Sequence, residues 1–420
     1  MSIAVGTIDY NFENKEDKSQ TSTAESWPQF CSDPQNTGYA PENTAPKSPI
    51  DKRWSNDEIN LVRRAPSVVK DVVFVAGNSE EACAFSDEDG AERWCTMAEG
   101  WSTPAVTGEK VILAAGGEVC ARSTHDGSEI WCFESDFGFS SSATVSDETV
   151  YVGRYDKETE SGTIYALSIK DGSLRWSVDG IGIKDSALAV GTDAVYAGDK
   201  QYVYALSRTD GTELWRTEVG DARQSAPAVT NDSLYIGTQE GRLYALSTVD
   251  GTERWSVDVC KAINTSPAVD GSKVYVSGWL GRVAAISAVD GELQWSQEVD
   301  GTLFGSPIVV DSTLFVPSIE SGVLAFETAD GTERWQFKTG EPIIGSLAVA
   351  NGTLYAADET GTVYALSHGD PDGFFGLSST DDLLRIGVGG GIAGLAIGTM
   401  YKLFKRAFEA NTGTDSGKQH

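Results

Sequence analysis

A tryptophan that returns at a near-constant interval constrains this chain more than any other feature. Trp54, Trp94, Trp131, Trp176, Trp215, Trp255, Trp295 and Trp335 lie 40, 37, 45, 39, 40, 40 and 40 residues apart. The last seven each close the same phrase, A-x-S-x-x-D-G-x-x-x-W. It is read from Ala84, Ala121, Ala166, Ala205, Ala245 and Ala285, and from Ala325 with Glu327 in place of the serine. Self-similarity at this period means one supersecondary unit stacked on copies of itself, because a single unit cannot bury its own apolar face.

Each unit reads as four short strands. In the fifth, residues 225–229 form the first strand and Asn231-Asp232 turns the chain. Residues 234–237 form the second strand, Gly241 restarts the chain, and residues 242–246 form the third. Asp250-Gly251 supplies a hairpin turn, where glycine accepts positive φ, and residues 253–257 form the fourth. Apolar or alternating runs of this length, bounded by Gly and Asp, are strands rather than helices. Four strands in about forty residues is a propeller blade. First strands recur near Pro66, Pro104, Ala143, Ala187, Pro227, Pro267, Pro307 and Leu347, which makes eight. The last unit runs to Ser367 without a following tryptophan, and the missing outer strand stands at the other end as residues 50–54. Pairing 50–54 with 363–366 would close the ring and leave no open blade edge. The expected fold is therefore all-β, an eight-bladed propeller of four-stranded blades over residues 50–367. Seven blades plus a stray strand is the alternative.

The repeated phrase resembles the tryptophan-docking motif of the pyrroloquinoline-quinone-like repeat family, over nearly the whole of 50–367. The resemblance implies that the eight tryptophans pack their indoles between neighbouring blades. The chain departs from the common form, which has an acid or Asn at the serine position and Thr before the glycine. Ser168 and Asp171 stand there in the third phrase, so the polar bond would run the other way. The Trp-Asp ending of WD40 repeats is absent.

With 62 acidic against 32 basic residues the formal charge is −30. Such a field repels nucleic acid. The acidic excess resembles the surfaces of salt-adapted, halophilic proteins; an ordinary acidic surface is the other reading. No C-x-x-C pair and no H-E-x-x-H occurs, so nothing points to a zinc enzyme.

Residues 1–26 are polar, lack an apolar signal-peptide core, and read as a disordered terminus. Residues 27–49 resemble the lead-in of such propellers and are expected to lie across one face or the outer rim. Residues 368–382 read as a linker, 383–408 as a membrane helix and 409–420 as a polar tail. The stretch 386–401 is uncharged and would span about 24 Å as a helix. Flanking Arg385 and Lys402 could extend it by snorkelling. Gly390, Gly394 and Gly398 give the small-residue spacing of self-associating membrane helices. A helix docked on the propeller is the alternative. Lys402, Lys405 and Arg406 after the segment favour an extracytoplasmic propeller, whereas the missing signal peptide favours a cytoplasmic one.

Cys83 and Cys95 are twelve apart, as are Cys120 and Cys132. Each pair sits on the third and fourth strands of adjacent blades, and the two substitutions occur together. Two cross-strand disulfides or four buried thiols fit this pattern; disulfides would favour the outside.

Three functions fit. The first is a non-catalytic platform for protein partners at a membrane, whose analogue in architecture is the eight-bladed lipoprotein of outer-membrane barrel assembly. The second is a small-ligand sensor using the central funnel. Its candidate contacts precede the first strands: Arg63, Arg64, Trp101, Phe139, Lys184, Asp185, Arg223, Gln224, Asn264 and Phe304. The third is a dehydrogenase with pyrroloquinoline quinone and calcium, implied by the family; the vicinal cysteines usual there are absent. Asp87-Glu88-Asp89-Gly90 has a faint likeness to a calcium loop but reads better as a hairpin turn. Residues 154–161 lengthen one loop of the third unit. No catalytic constellation or metal-ligand set is recognisable.

Overall fold

The computed structural model describes residues 26–369, apart from 42, 78–80, 99–101, 137 and 185. These residues form eight sheets arranged as blades, each of four antiparallel strands, and the seventh gains a fifth, parallel strand, Tyr39–Ala40, beside its inner strand. Blade 1 runs through Ser67–Val69, Val72–Ala76, Glu81–Ser86 and Glu92–Met97, and the next six repeat the pattern. Blade 8 is composite. Ala348–Ala350, Thr353–Ala357 and Val363–His368 supply its inner strands, and Ile50–Asn56 supplies its outer one. Ile50 pairs with His368 and Asn56 with Val363, so residues far apart in sequence close the ring.

The repeated phrase explains the joints between blades. Seven indoles, from Trp54 to Trp295, each donate their N–H to a backbone carbonyl of the following blade at 2.7–3.1 Å. The same ring covers the glycine of that blade's Asp-Gly turn. Gly251 has φ of +71°, and a Cβ there would lie 2.5 Å from the indole of Trp215. Glycine is thus required twice over, by backbone conformation and by space. The aspartate beside it braces the turn: Asp126 accepts from the Ser128 hydroxyl at 2.7 Å and from its amide at 3.1 Å. With Ser123 adding a third bond, these hold the Asp126 carboxyl at about 2. In the third phrase the Ser168 hydroxyl bonds Asp171 in the same sense.

Buried serines before the inner strands form a second set of joints. Ser266 Oγ accepts from the Ala226 amide, Ser306 Oγ from Ser266 and Ser346 Oγ from Ser306, each at 2.9 Å. The closing seam has its own chemistry. Asp87 accepts from the Tyr355 hydroxyl and pairs with Arg53 at 3.3 Å, while its carbonyl takes the Trp54 N–H. The faintly calcium-like Asp87–Gly90 stretch is therefore a hairpin turn that locks blade 8 onto blade 1.

Cys83 pairs directly opposite Cys95, and Cys120 opposite Cys132. Both pairs are disulfides, while Cys31 and Cys260 are free. The membrane helix expected over 383–408, with its glycines, lies outside the described residues, as do the terminus 1–25 and the tail. Among the described residues no helix is long and apolar enough to cross a membrane.

Candidate functional site

Inner strands line the centre of a propeller, and their inner-edge amides need partners. Here residues 27–43 supply them. Trp27 exchanges two backbone bonds with Val68 of blade 1, at 2.6 and 2.8 Å. Val106 of blade 2 donates to the Pro28 carbonyl at 2.7 Å, and Val145 of blade 3 to Gln29 Oε1 at 3.0 Å. Val190, Val229, Val269 and Val309 of blades 4 to 7 donate to the carbonyls of Pro34, Gln35, Thr37 and Gly38 at 2.7–2.9 Å. Asn43 Nδ2 donates to Val349 O of blade 8 at 2.7 Å and lies 3.5 Å from Ser26 O. The arm makes one circuit of the ring, blade by blade in chain order. It does not run along the outer rim. The physical reason is the row of inner-edge polar groups, which the arm meets with six carbonyls and the side chains of Gln29 and Asn43.

The arm is well packed. Trp27 is fully buried, and Cys31, Asn36 and Asn43 are buried with it. Burial pushes the Asp33 carboxyl up to about 6, against hydrogen bonds from Thr37, Gln35 and Asn36. Burial also pushes the Cys31 thiol up, with the Asp33 charge adding to the effect.

The funnel-mouth candidates are largely committed to neighbours. Arg63 pairs with Glu359. Arg223 forms a two-pronged pair with Asp221 at 2.7 and 3.0 Å and also donates to the Tyr155 hydroxyl at 3.1 Å. Gln224 Oε1 accepts from Gln239 at 3.3 Å, and Phe139 packs edge-on against Tyr165. Arg64 leads into the first inner strand, where its backbone lies against Gly345. Lys184 is half-buried beside Ser186, and Asn264 precedes the inner strand of blade 6 with its carbonyl oxygen buried. Trp101 and Asp185 lie outside the described residues. Phe304 is 40% exposed and packs at a tilt against Trp279, which is 46% exposed, with Leu280 beside it at 60%. Trp279 and Leu280 come from the loop between the second and third strands of blade 6 and were not foreseen. Their signal was an apolar pair where other blades carry polar turn residues.

Among the described residues, the one group with converging metal-ligand atoms is Glu118, Cys120 and Cys132. Both sulfurs are consumed in a disulfide, which leaves one carboxylate. A quinone with several carboxylates, held through calcium, needs available cations and a cluster of acids over the centre. The described residues do not fit it: Arg63 and Arg223 already face carboxylates, and the arm occupies the inner wall.

No curated protein matches the chain. Among solved structures, BamB from Moraxella catarrhalis superposes with a TM-score of 0.64 at 21% identity, over 76% of this chain and 97% of its own. The computationally designed Ika8 protein gives 0.67 at 15% identity, over 75% and 98%. Quinohemoprotein alcohol dehydrogenase from Comamonas testosteroni gives 0.68 at 13% identity, over 82% and 81%. At these identities the structures share the fold and nothing narrower. The sequence itself matches one repeat family over residues 51–179, 84–204, 199–306 and 280–372. The chain thus belongs to the pyrroloquinoline-quinone-like repeat family described as outer membrane protein assembly factor BamB.

Proposed function

We propose that this propeller is a non-catalytic platform for protein partners at a membrane. The observation that carries the reading is the aromatic step of Trp279, Leu280 and Phe304, exposed on the same end as the funnel mouth. Large aromatic anchors on a rigid frame are the residues that dominate protein interfaces, and contiguous exposed apolar groups mark such sites. The family description of an assembly factor supports the same reading. The apolar stretch 386–401 would tether the platform, and the charge flanking it favours an extracytoplasmic propeller.

The test is photo-crosslinking in native membranes from a probe placed at Leu280. A discrete adduct that disappears in the Trp279→Ala, Phe304→Ala double variant, with melting temperature unchanged, is expected. An adduct pattern indifferent to the double variant sinks the reading. A ligand sensor at the funnel mouth is the second reading, favoured by the buried carbonyl oxygen of Asn264, which has no hydrogen-bond partner among the described residues. A dehydrogenase would require quenching of tryptophan fluorescence by pyrroloquinoline quinone and calcium.

A further inference from the structure

We propose that the inner wall of the ring is a receptor for one looped polypeptide segment, and that residues 27–43 are its resident, dissociable ligand. Three observations carry this beyond a description of the arm.

The ring does not need the arm to close. Blade 8 is completed by Ile50–Asn56 against Val363–His368, and the seam is fixed by Trp54, Arg53 and Tyr355 on Asp87. The serine and indole joints elsewhere also exclude the arm. No cross-link holds it to the inner wall, since both disulfides join strands within blades 1 and 2; residues 44–49 connect it to the outer strand of blade 8.

The wall reads backbone. Six blades present an inner-strand amide to an arm carbonyl, and a seventh presents one to the Gln29 side chain. Such a row recognises a chain by its carbonyls, and at Tyr39–Ala40 the arm adds as a short parallel strand beside Val309–Val310. Side chains add selectivity where the fit is closest. Gly38 has φ of +59°, and a Cβ there would lie 3.2 Å from Ala268 Cβ and 3.3 Å from Pro307 O.

The fit also carries local costs, of a kind the blade turns keep as well at Lys70, Asp147, Asp311 and Asn351. Cys31, Ser32 and Asn36 all hold positive φ, of 52°, 75° and 55°, a conformation unfavourable for residues with a Cβ. Trp27 Nε1, Asn36 Oδ1 and Asn43 Oδ1 are buried without a hydrogen-bond partner among the described residues, and each forfeits its hydration. Binding is the sum of the ring of contacts less these penalties, so departure of the arm relieves strain while the ring stays shut.

Cys31 is a built-in reporter, because it is buried in the arm and free. The experiment follows its alkylation by iodoacetamide in the full chain carrying Cys260→Ser, with disulfides intact. A synthetic peptide of residues 26–46 bearing Cys31→Ser is then added. The expected result is a slow basal rate that rises saturably, at least tenfold, with the peptide and not with its scrambled version. Gly38→Val should raise the basal rate at least tenfold while the cooperative unfolding of the propeller persists. If Cys31 reacts only at the rate and denaturant dependence of global unfolding, the arm is not dissociable and the proposal fails. It fails equally if native and scrambled peptides act alike, or if neither acts. None of these outcomes depends on the exposed aromatic step, so the platform reading stands or falls separately.

Discussion

The rim and the centre of this ring solve the same problem in opposite ways. At the rim, seven of the eight blades grip the next through an indole laid over a glycine, each time with one chemistry. At the centre, a single aperiodic segment touches all eight blades, using a different residue for each. The rim joints are pairwise, so damage to one should remain between two blades. The central circuit is shared, so each of its contacts is weaker alone but every blade has a stake in it.

The sharpest way to break the contrast is Trp255→Ala. It removes a large buried side chain and its bond to Ala288 O. A loss of about 3–5 kcal/mol is expected for such a truncation, read as a lower urea midpoint. Hydrogen exchange should quicken chiefly in blades 5 and 6. Exchange that quickens evenly around the ring would show that the rim is as collective as the centre.

A smaller effect is expected from Gln29→Ala and Asn43→Ala. Each removes one side-chain bond to a buried inner strand, leaving the Val145 amide or Val349 carbonyl unpaired. About 1–3 kcal/mol is expected for each, measured by the same denaturation. Because the two sites lie on one arm, their effects should be less than additive if the segment detaches as a unit. Strict additivity would argue for independent contacts.

A separate effect is on pH dependence. Asp33 is raised to about 6 by burial, whereas an unfolded aspartate titrates near 4. Between those values the folded protein binds more protons than the unfolded one, so this group's contribution is complete at low pH and lost as pH rises to about 6. Asp33→Asn should remove that fall from a plot of melting temperature against pH. An unchanged slope would show that Asp33 titrates normally and that the arm is wetter than its packing indicates.

The same contrast explains what could be read in advance. The rim is legible because its contact is periodic: Trp, Asp-Gly and Ala recur at fixed offsets, and a repeat that buries an indole must spell it out each time. Even the ring closure follows from counting strands. The cysteine pairs were legible as pairs, because position and co-occurrence put Cys83 by Cys95 and Cys120 by Cys132; their oxidation was not. The serine joints carried a signal that went unread, a serine one residue before Pro267, Pro307 and Leu347. The central circuit left no such trace. Backbone amides do the recognising, and backbone is the same whatever the side chain, so residues 27–43 needed no motif. The fate of Arg63 was hidden for a related reason: it meets Glu359 296 residues away, and a contact made once has no period to betray it.

The composite eighth blade also has a mechanical consequence. Ile50 lies opposite His368, and Asn56 opposite Val363, so the ends of the two strands that lead out of the blade emerge side by side. A load pulling residue 50 away from residue 368 would act on the ladder one rung at a time, in the manner of a zipper, instead of shearing all rungs together. Tension applied between residues 50 and 368 would therefore peel the ring at its seam, at low force, before it disturbed the seven blades made of continuous chain.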